Sequence, residues 1–299
     1  MIRVFDMFSG YGGALFSLKK ANIPFSCVGF SEVNNAAIEF YELNHGVHTN
    51  FGDCQFINPA SLPDFDLLTG GFPCQDVSYA GLRDLSRGRT LLFNDILRIA
   101  EVKKPKFMLL ENVKGLRTVN KGKLFRYVVK SLEKLGYGVA YKLLNSCDFG
   151  VPQNRERYWF VCKLGGWDFA EFQFPYKVKL ENNLLDLVED FVHPKYFVDK
   201  KWKAIVKRAS KRGKIPKVNP LIASCLLCRH PSRNYSEATF VETKQKVRIL
   251  IPKECFRLMG FKDDEVNLKG FSDTQLYRLA GNGWDINVAS KILKGMIRV

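Results

Sequence analysis

The segment Phe8-Ser9-Gly10-Tyr11-Gly12-Gly13 constrains this chain most, because it joins a strand-like run, Arg3 to Phe8, to a helical one, Ala14 to Ala21. Glycines at such a junction let the backbone turn sharply and come close to a ligand. The alternation then continues. Strands are expected at Phe25 to Glu32, Thr49 to Gly52, Asp66 to Thr69 and Lys106 to Glu111. Helices are expected at Ala36 to Asn44, Leu91 to Glu101 and Leu124 to Leu135. This βαβ rhythm predicts an α/β fold with a mainly parallel, doubly wound sheet and helices on both faces. Tyr137 to Asn145 and Arg157 to Leu164 read as two later strands, an antiparallel hairpin at the sheet edge. After Gly165-Gly166 the pattern turns irregular, aromatic and basic, and helical periodicity returns only at Pro252 to Met259 and Asn287 to Ile297. The expected organisation is one α/β domain from 1–165 and 248–299, with a small separate domain at 166–247.

Composition narrows the function. With 46% hydrophobic and 25% charged residues among 299, the chain is that of an ordinary globular protein. No apolar run reaches the length of a membrane span, and the N-terminus lacks the basic start and apolar stretch of a signal peptide. The protein is therefore expected to stay in the cytoplasm where it is made. A net charge of +16 calls for an anionic partner, most simply nucleic acid. The excess concentrates between Lys195 and Lys217, where Lys200, Lys201, Lys203, Lys207, Arg208, Lys211, Arg212 and Lys214 face only Asp199. That run reads as a phosphate-contacting surface rather than a merely solvated face. The eight cysteines follow no disulfide spacing, so reduced thiols are expected. Cys225-Leu226-Leu227-Cys228, near His230, has the spacing of half a zinc site, but no second pair exists and no metal is expected.

The glycine turn lacks the third glycine of a dinucleotide fingerprint; Leu15 stands there, so a pyrophosphate-binding role fails. Glu32, at the end of the second strand, stands where an acid binds ribose hydroxyls. Asp53, in Gly52-Asp53-Cys54, is placed to accept from an adenine amino group. The two acids serve equally well as a cap and a turn residue, and the residues alone leave both readings open. Ribose and adenine without phosphate, and a cationic sulfonium near carboxylates, describe S-adenosyl-L-methionine. Further along, Gly70-Gly71 lead into Phe72-Pro73-Cys74-Gln75. A cysteine at a strand end, held by a rigid proline, presents its sulfur to a substrate, although alone it reads as readily as inert packing.

In this order the chain resembles the DNA (cytosine-5)-methyltransferases. The matching blocks are Asp6-Met7-Phe8-Ser9-Gly10-Tyr11-Gly12-Gly13, Glu32, Gly52-Asp53, Gly71-Phe72-Pro73-Cys74-Gln75, Glu111-Asn112-Val113 and Gln153-Asn154-Arg155-Glu156-Arg157. Arg248 to Glu254, Arg257 to Phe261 and Gly281-Asn282 follow. The resemblance covers all but roughly residues 165 to 245. It implies a Rossmann-like methyltransferase domain, with S-adenosyl-L-methionine as cofactor, double-stranded DNA as partner, and a small target-recognition domain reading bases in the major groove across a basic cleft. Cys74 would attack carbon 6 of a flipped-out cytosine, making carbon 5 able to accept a methyl group. Glu111 would donate a proton to ring nitrogen 3 and Arg157 would hold the carbonyl oxygen, with Arg155 and Gln153 supporting the site. The cofactor contacts carried over are Phe8, Gly10, Tyr11, Gly13, Glu32, Val33, Asp53, Cys54, Pro73, Leu92 and Asn282. The stretch from Asp76 to Thr90 would close on the base, with Gln75, Ser78, Arg83, Arg87 and Arg89 toward DNA.

Three positions depart from the family pattern. Val33 stands where an aromatic often stacks on adenine, Gly283-Trp284 replaces Ser-Val after Gly281-Asn282, and Asp76 follows Cys74-Gln75. Arg229, Arg233, Tyr235, Lys244 and Lys246 are candidate contacts of the small domain. The resemblance is to a compact bacterial or phage enzyme, expected to be a monomer. A tRNA cytosine-5 methyltransferase is the alternative enzyme, but the Cys-Phe-Thr motif of that branch is absent. An inactive DNA-binding homologue would have lost Cys74, Glu111, Arg157 or the Gly10 turn, all of which are present.

Overall fold

The computed structural model describes residues 1–73, 92–167, 172–211, 213, 215–228, 238–243 and 246–297. Cys74, Gln75, Ser78, Arg83, Arg87 and Arg89, and also Arg229, Arg233, Tyr235 and Lys244, lie outside them. Along the chain the elements begin with β1 (Ile2–Met7), α1 (Gly13–Lys20), β2 (Phe25–Ser31), α2 (Asn35–His45), β3 (Leu67–Gly71), α3 (Phe93–Lys103), β4 (Phe107–Val113) and α4 (Lys123–Lys134). Then come β5 (Tyr137–Asn145), β6 (Gln153–Asn154), β7 (Glu156–Leu164), α5 (Asp199–Ser210), β8 (Lys217–Val218), β9 (Ala223–Ser224), β10 (Thr239–Thr243) and β11 (Lys246–Ile249). The chain closes with α6 (Pro252–Arg257), α7 (Asp273–Asn282) and α8 (Ile286–Met296).

The chain divides into two compact units, 1–144 with 156–176 and 289–299, and 145–155 with 177–288. The first contains a six-stranded sheet in the order β2-β1-β3-β4-β7-β5. β1 pairs in parallel with β2 and β3, β3 in parallel with β4, and β4 antiparallel with β7. The doubly wound α/β architecture is thus present, with β5 and β7 at the expected edge and β7 lying between β4 and β5. Because successive side chains alternate across a strand, Phe5 and Met7 go to one face, with Leu68, Met108, Leu110 and Phe160, while Val4 takes the other. Both faces are buried, as near-continuous apolar strands require.

The strand expected at Thr49 to Gly52 is reduced to an isolated bridge between Phe30 and Asn50. Asn50 is the cause. Its side chain donates to the Glu32 carbonyl and accepts from the amides of Glu32 and Gly52, turning the chain away where Gly52 adopts φ 68°.

The second unit holds two small sheets, β11-β10-β8 and β6-β9. α5 buries Ile205 and Ala209, with Trp202 edge-on to Phe240, and leaves Lys201, Lys203, Lys207 and Arg208 exposed. In the second unit 145–155 and 248–288 join 177–247. Ion pairs and clamps tie these segments together. Arg248 and Glu254, both fully buried, form a two-pronged pair at 2.9 and 2.8 Å. Arg248 also donates to the Glu189 carbonyl, and Glu254 accepts from the amides of Glu189 and Ile251.

Among the described residues no helix is long and apolar enough to cross a membrane. Removing one member of a buried ion pair strands the other charge, at about 3–5 kcal/mol. Glu254→Gln should therefore lower unfolding stability by about that amount, while the joint replacement Arg248→Met with Glu254→Leu should cost less. Urea unfolding of the three proteins checks this; equal losses would show that the charges are uncoupled.

Candidate active site

The carboxyl ends of β1, β2, β3 and β4 share one edge of the first unit's sheet, and strand order reverses between β1 and β3. In open α/β sheets this is where ligands bind. At the end of β1, Phe8 takes φ 55°, a conformation that costs a non-glycine residue about 1–3 kcal/mol and that marks sites held under strain. Gly10 and Gly12 follow with φ 54° and 79°, the latter starting α1. A side chain on Gly70 would press on the Met7 carbonyl, so the bare backbone lets β3 end close against β1.

Glu32 ties the turn down. One carboxylate oxygen accepts from the Gly10 amide at 2.9 Å, and the other from the amides of Val33 and Asn34, both at 2.9 Å. A carboxylate offers about four acceptor positions, so Glu32 both braces the turn and keeps capacity for a hydroxyl. Asp53 uses one oxygen on the Gln55 amide as the cap of a short turn. Both acids are thus local braces. Val33 is 66% exposed, consistent with an apolar surface for a flat ring. Cys54 is buried in the core, and burial pushes its thiol up to about 12. Leu92 precedes α3 and packs against the core.

The strand end that leads to Cys74 is anchored from β4. The Asn112 amide donates to the Phe72 carbonyl at 2.9 Å, and the buried Phe72 ring sits 5.1 Å from that of Phe93. Beside it, Glu111 pairs with Arg157, Oε1 to Nε 2.9 Å, with Glu111 only 8% exposed. Register explains the meeting, since Val113 stands opposite Arg157 across the β4–β7 pair and Glu111 opposite Gly71 across β3–β4. Glu156, between the two arginines in sequence, pairs with Lys114 at 2.7 Å. Arg157 meets Glu156 only through its backbone carbonyl.

Arg155, Gln153 and Asn282 belong to the second unit. The buried Arg155 guanidinium donates to the carbonyls of Gly281 at 3.2 Å and Gly283 at 2.6 Å, clamping the chain on either side of Asn282, whose side chain is exposed. Gln153 donates to the Leu258 carbonyl and accepts from the Leu226 amide. A side chain on Gly281 would strike the backbone of Leu227, so Cys225-Leu226-Leu227-Cys228 is packed against this segment. Among the described residues no cluster of His, Cys, Asp or Glu has a metal site's make-up.

One group at the turn was not singled out from sequence. Asp6 is buried on β1 and accepts from Thr69 at 2.6 Å, the residue opposite it in register, while its other oxygen finds no partner among the described residues. Burial pushes its carboxyl up to about 7, eased by the Thr69 hydrogen bond and reinforced by the charge of Glu32. It lies inside the first family block, and only the sheet register reveals its surroundings.

A family model described as C-5 cytosine-specific DNA methylase matches residues 2–298. The chain is 34% identical to the type II methyltransferase M.NlaX of Neisseria lactamica, covering 99% of this chain and 96% of that one. Identity to M.NgoBI of Neisseria gonorrhoeae is 38%, over 96% of this chain and 90% of that one. M.HhaI of Haemophilus parahaemolyticus is 31% identical, over 97% and 93%. Among solved structures, S. pombe Dnmt2 methyltransferase superposes with a TM-score of 0.80 at 22% identity, over 99% of this chain and 98% of that one. That likeness speaks for the fold.

A carboxyl whose pKa is raised on folding stabilises the native state while protonated. For Asp6 that contribution is full below about 4 and is lost as pH rises to about 7. Asp6→Asn keeps the acceptor for Thr69 and cannot ionise. Its stability relative to the parent should rise between pH 4 and 7.5, by at most about 4 kcal/mol. Buried Asp285, pushed up to about 6, would leave a residual slope in both proteins. Parallel pH profiles from denaturant unfolding would count against a buried, shifted Asp6.

Proposed function

The chain belongs to the C-5 cytosine-specific DNA methylase family, and on that premise we propose which of its residues carry the reaction. It is an S-adenosyl-L-methionine-dependent enzyme that methylates carbon 5 of cytosine in DNA. The observation that carries the residue assignment is the pairing of buried Glu111 with half-buried Arg157, beside the strand end that Asn112 anchors at Phe72.

The turn fits the cofactor. It has glycines where backbone must approach a ligand, a carboxylate with spare acceptor capacity, and no third glycine for a pyrophosphate. Phe8, Gly10, Tyr11, Gly13, Glu32, Val33, Asp53, Cys54, Pro73, Leu92 and Asn282 are proposed to hold it, Glu32 toward the ribose hydroxyls and Asp53 toward the adenine amino group. When bound, S-adenosyl-L-methionine supplies an electrophilic methyl group.

The protein's own groups do the rest. A thiol cannot reach a stacked base, so the target cytosine must leave the duplex. Cys74, as thiolate, adds to carbon 6, and the ring electron pair shifts toward carbon 5. Glu111 gives a proton to nitrogen 3, compensating the negative charge that addition brings to the ring. Arg157 orients Glu111 and holds the carbonyl oxygen. Once carbon 5 is methylated, loss of its proton, departure of the Cys74 sulfur as thiolate and return of the nitrogen 3 proton to Glu111 restore the neutral aromatic ring. Arg155 and Gln153 act as positioning residues, through the carbonyl clamp and the Leu226–Leu258 bridge.

Residues 166–247 are proposed as the target-recognition domain, with the exposed lysines of α5 contacting phosphates. Gln75, Ser78, Arg83, Arg87 and Arg89 are proposed DNA contacts of the segment after Cys74. The type II methyltransferase names of the relatives support a bacterial or phage enzyme of a restriction–modification system, and it is proposed to work as a monomer in the cytoplasm.

Duplex DNA containing 5-fluorocytosine cannot lose a proton from carbon 5, so the Cys74 adduct should persist as a denaturation-resistant crosslink. Cys74→Ser should abolish crosslinking and labelled methyl transfer while retaining DNA binding. Unchanged turnover in that variant would remove Cys74 as nucleophile, and labelling of tRNA in place of duplex DNA would favour the alternative substrate.

A further inference from the structure

The glycine turn is braced a second time, by a residue that no family block contains. His45 ends α2, and its Nε2 lies 3.2 Å from the Tyr11 carbonyl, while Nδ1 lies 3.3 Å from the Lys19 ammonium of α1. Lys19 also reaches the Asn44 carbonyl at 3.4 Å. The ring is packed edge-on to Phe16 at 4.3 Å and against Tyr41 at 4.8 Å. A side chain on Gly12 would run into the imidazole and Tyr41, so the missing Cβ there makes room for this contact.

Hydrogen-bond chemistry decides the tautomer. An ammonium has only donors, so Nδ1 must accept from Lys19. The proton of a neutral ring then sits on Nε2 and donates to the Tyr11 carbonyl. The ring is neutral because burial, and next the Lys19 charge, pull its pKa down to about 3.

We propose that His45 is a positioning residue for cofactor binding, a tautomer-locked strut that holds the Tyr11 carbonyl while Glu32 holds the Gly10 amide. This rests on the reading of the turn as the S-adenosyl-L-methionine site. Two glycines make the turn entropically soft. Fixing adjacent residues from β2 and from α2 removes that freedom before the cofactor arrives, and preorganisation of this kind raises affinity without a new contact. His45 touches neither the reacting carbon nor the methyl donor in this scheme, so its loss should weaken cofactor binding and spare turnover at saturation.

Calorimetric titration of the full chain with S-adenosyl-L-methionine, alongside steady-state kinetics on duplex DNA, tests this. His45→Leu should weaken Kd and raise KM for the cofactor about tenfold, with kcat within about twofold of the parent. His45→Gln, able to donate to Tyr11 and accept from Lys19, should recover to within about threefold. Lys19→Met, at an exposed position, should weaken Kd about threefold without touching the ring. Nitrogen-15 spectra of the parent should show a neutral His45 protonated at Nε2. An unchanged Kd in His45→Leu, or, should that variant not fold, in Lys19→Met, would overturn the proposal. So would an Nδ1-protonated ring, or a His45→Gln variant as weak as His45→Leu. A parent that binds no S-adenosyl-L-methionine would instead defeat the cofactor assignment of the turn.

Discussion

The parallel pairing of β1 with both β2 and β3 is the constraint on which the site depends. Parallel strands need crossovers, and the crossovers put every carboxyl end on one edge. Chain order then reverses at β1, so the segments leaving β1 and β3 diverge and open a crevice between them. Phe8, Glu32, Gly70 to Pro73 and Glu111 are far apart in sequence and meet only because of this topology. The price is a set of loop ends whose backbone geometry the sheet itself does not fix.

Side chains from neighbouring strands fix it instead. Glu32, just past the end of β2, holds Gly10, and Asn112 on β4 holds Phe72; within the second unit Arg155 holds Gly281 and Gly283 in the same manner. In each case a polar side chain, itself buried or half-buried, satisfies a backbone group that no strand or helix ladder reaches. Such bonds gain strength where water is scarce and are costly to leave unmade. Reactive groups can therefore sit on loop ends and still be placed by rigid elements. The Glu111–Arg157 pair follows the same logic, because both members stand on adjacent strands of the sheet.

Much of this was legible in sequence. The βαβ alternation gave the parallel sheet and the positions of α1 to α4, and the ordered blocks gave the family. Local composition misled where long-range contacts decide. Thr49 to Gly52 reads as a strand, yet the Asn50 side chain bonds Glu32 and bends the chain away. Glu156 is the arginines' neighbour in sequence, but the β4–β7 register brings Arg157 to Glu111, and Glu156 pairs with Lys114. Arg248–Glu254 and the Gln153 bridge cross-link segments that composition separates.

The chain's residues by themselves determined the alternation of elements, the lack of a third glycine at Leu15 and the ordered blocks that mark the family, because these depend on backbone propensity and side-chain chemistry. Only the tertiary structure decided that Asp6 is buried against Thr69, that Glu111 is held by Arg157, and that His45 carries its proton on Nε2 toward Tyr11. A side chain's charge, tautomer and orientation depend on which distant groups surround it. Strand register and helix packing set those surroundings, and no local stretch of sequence encodes them.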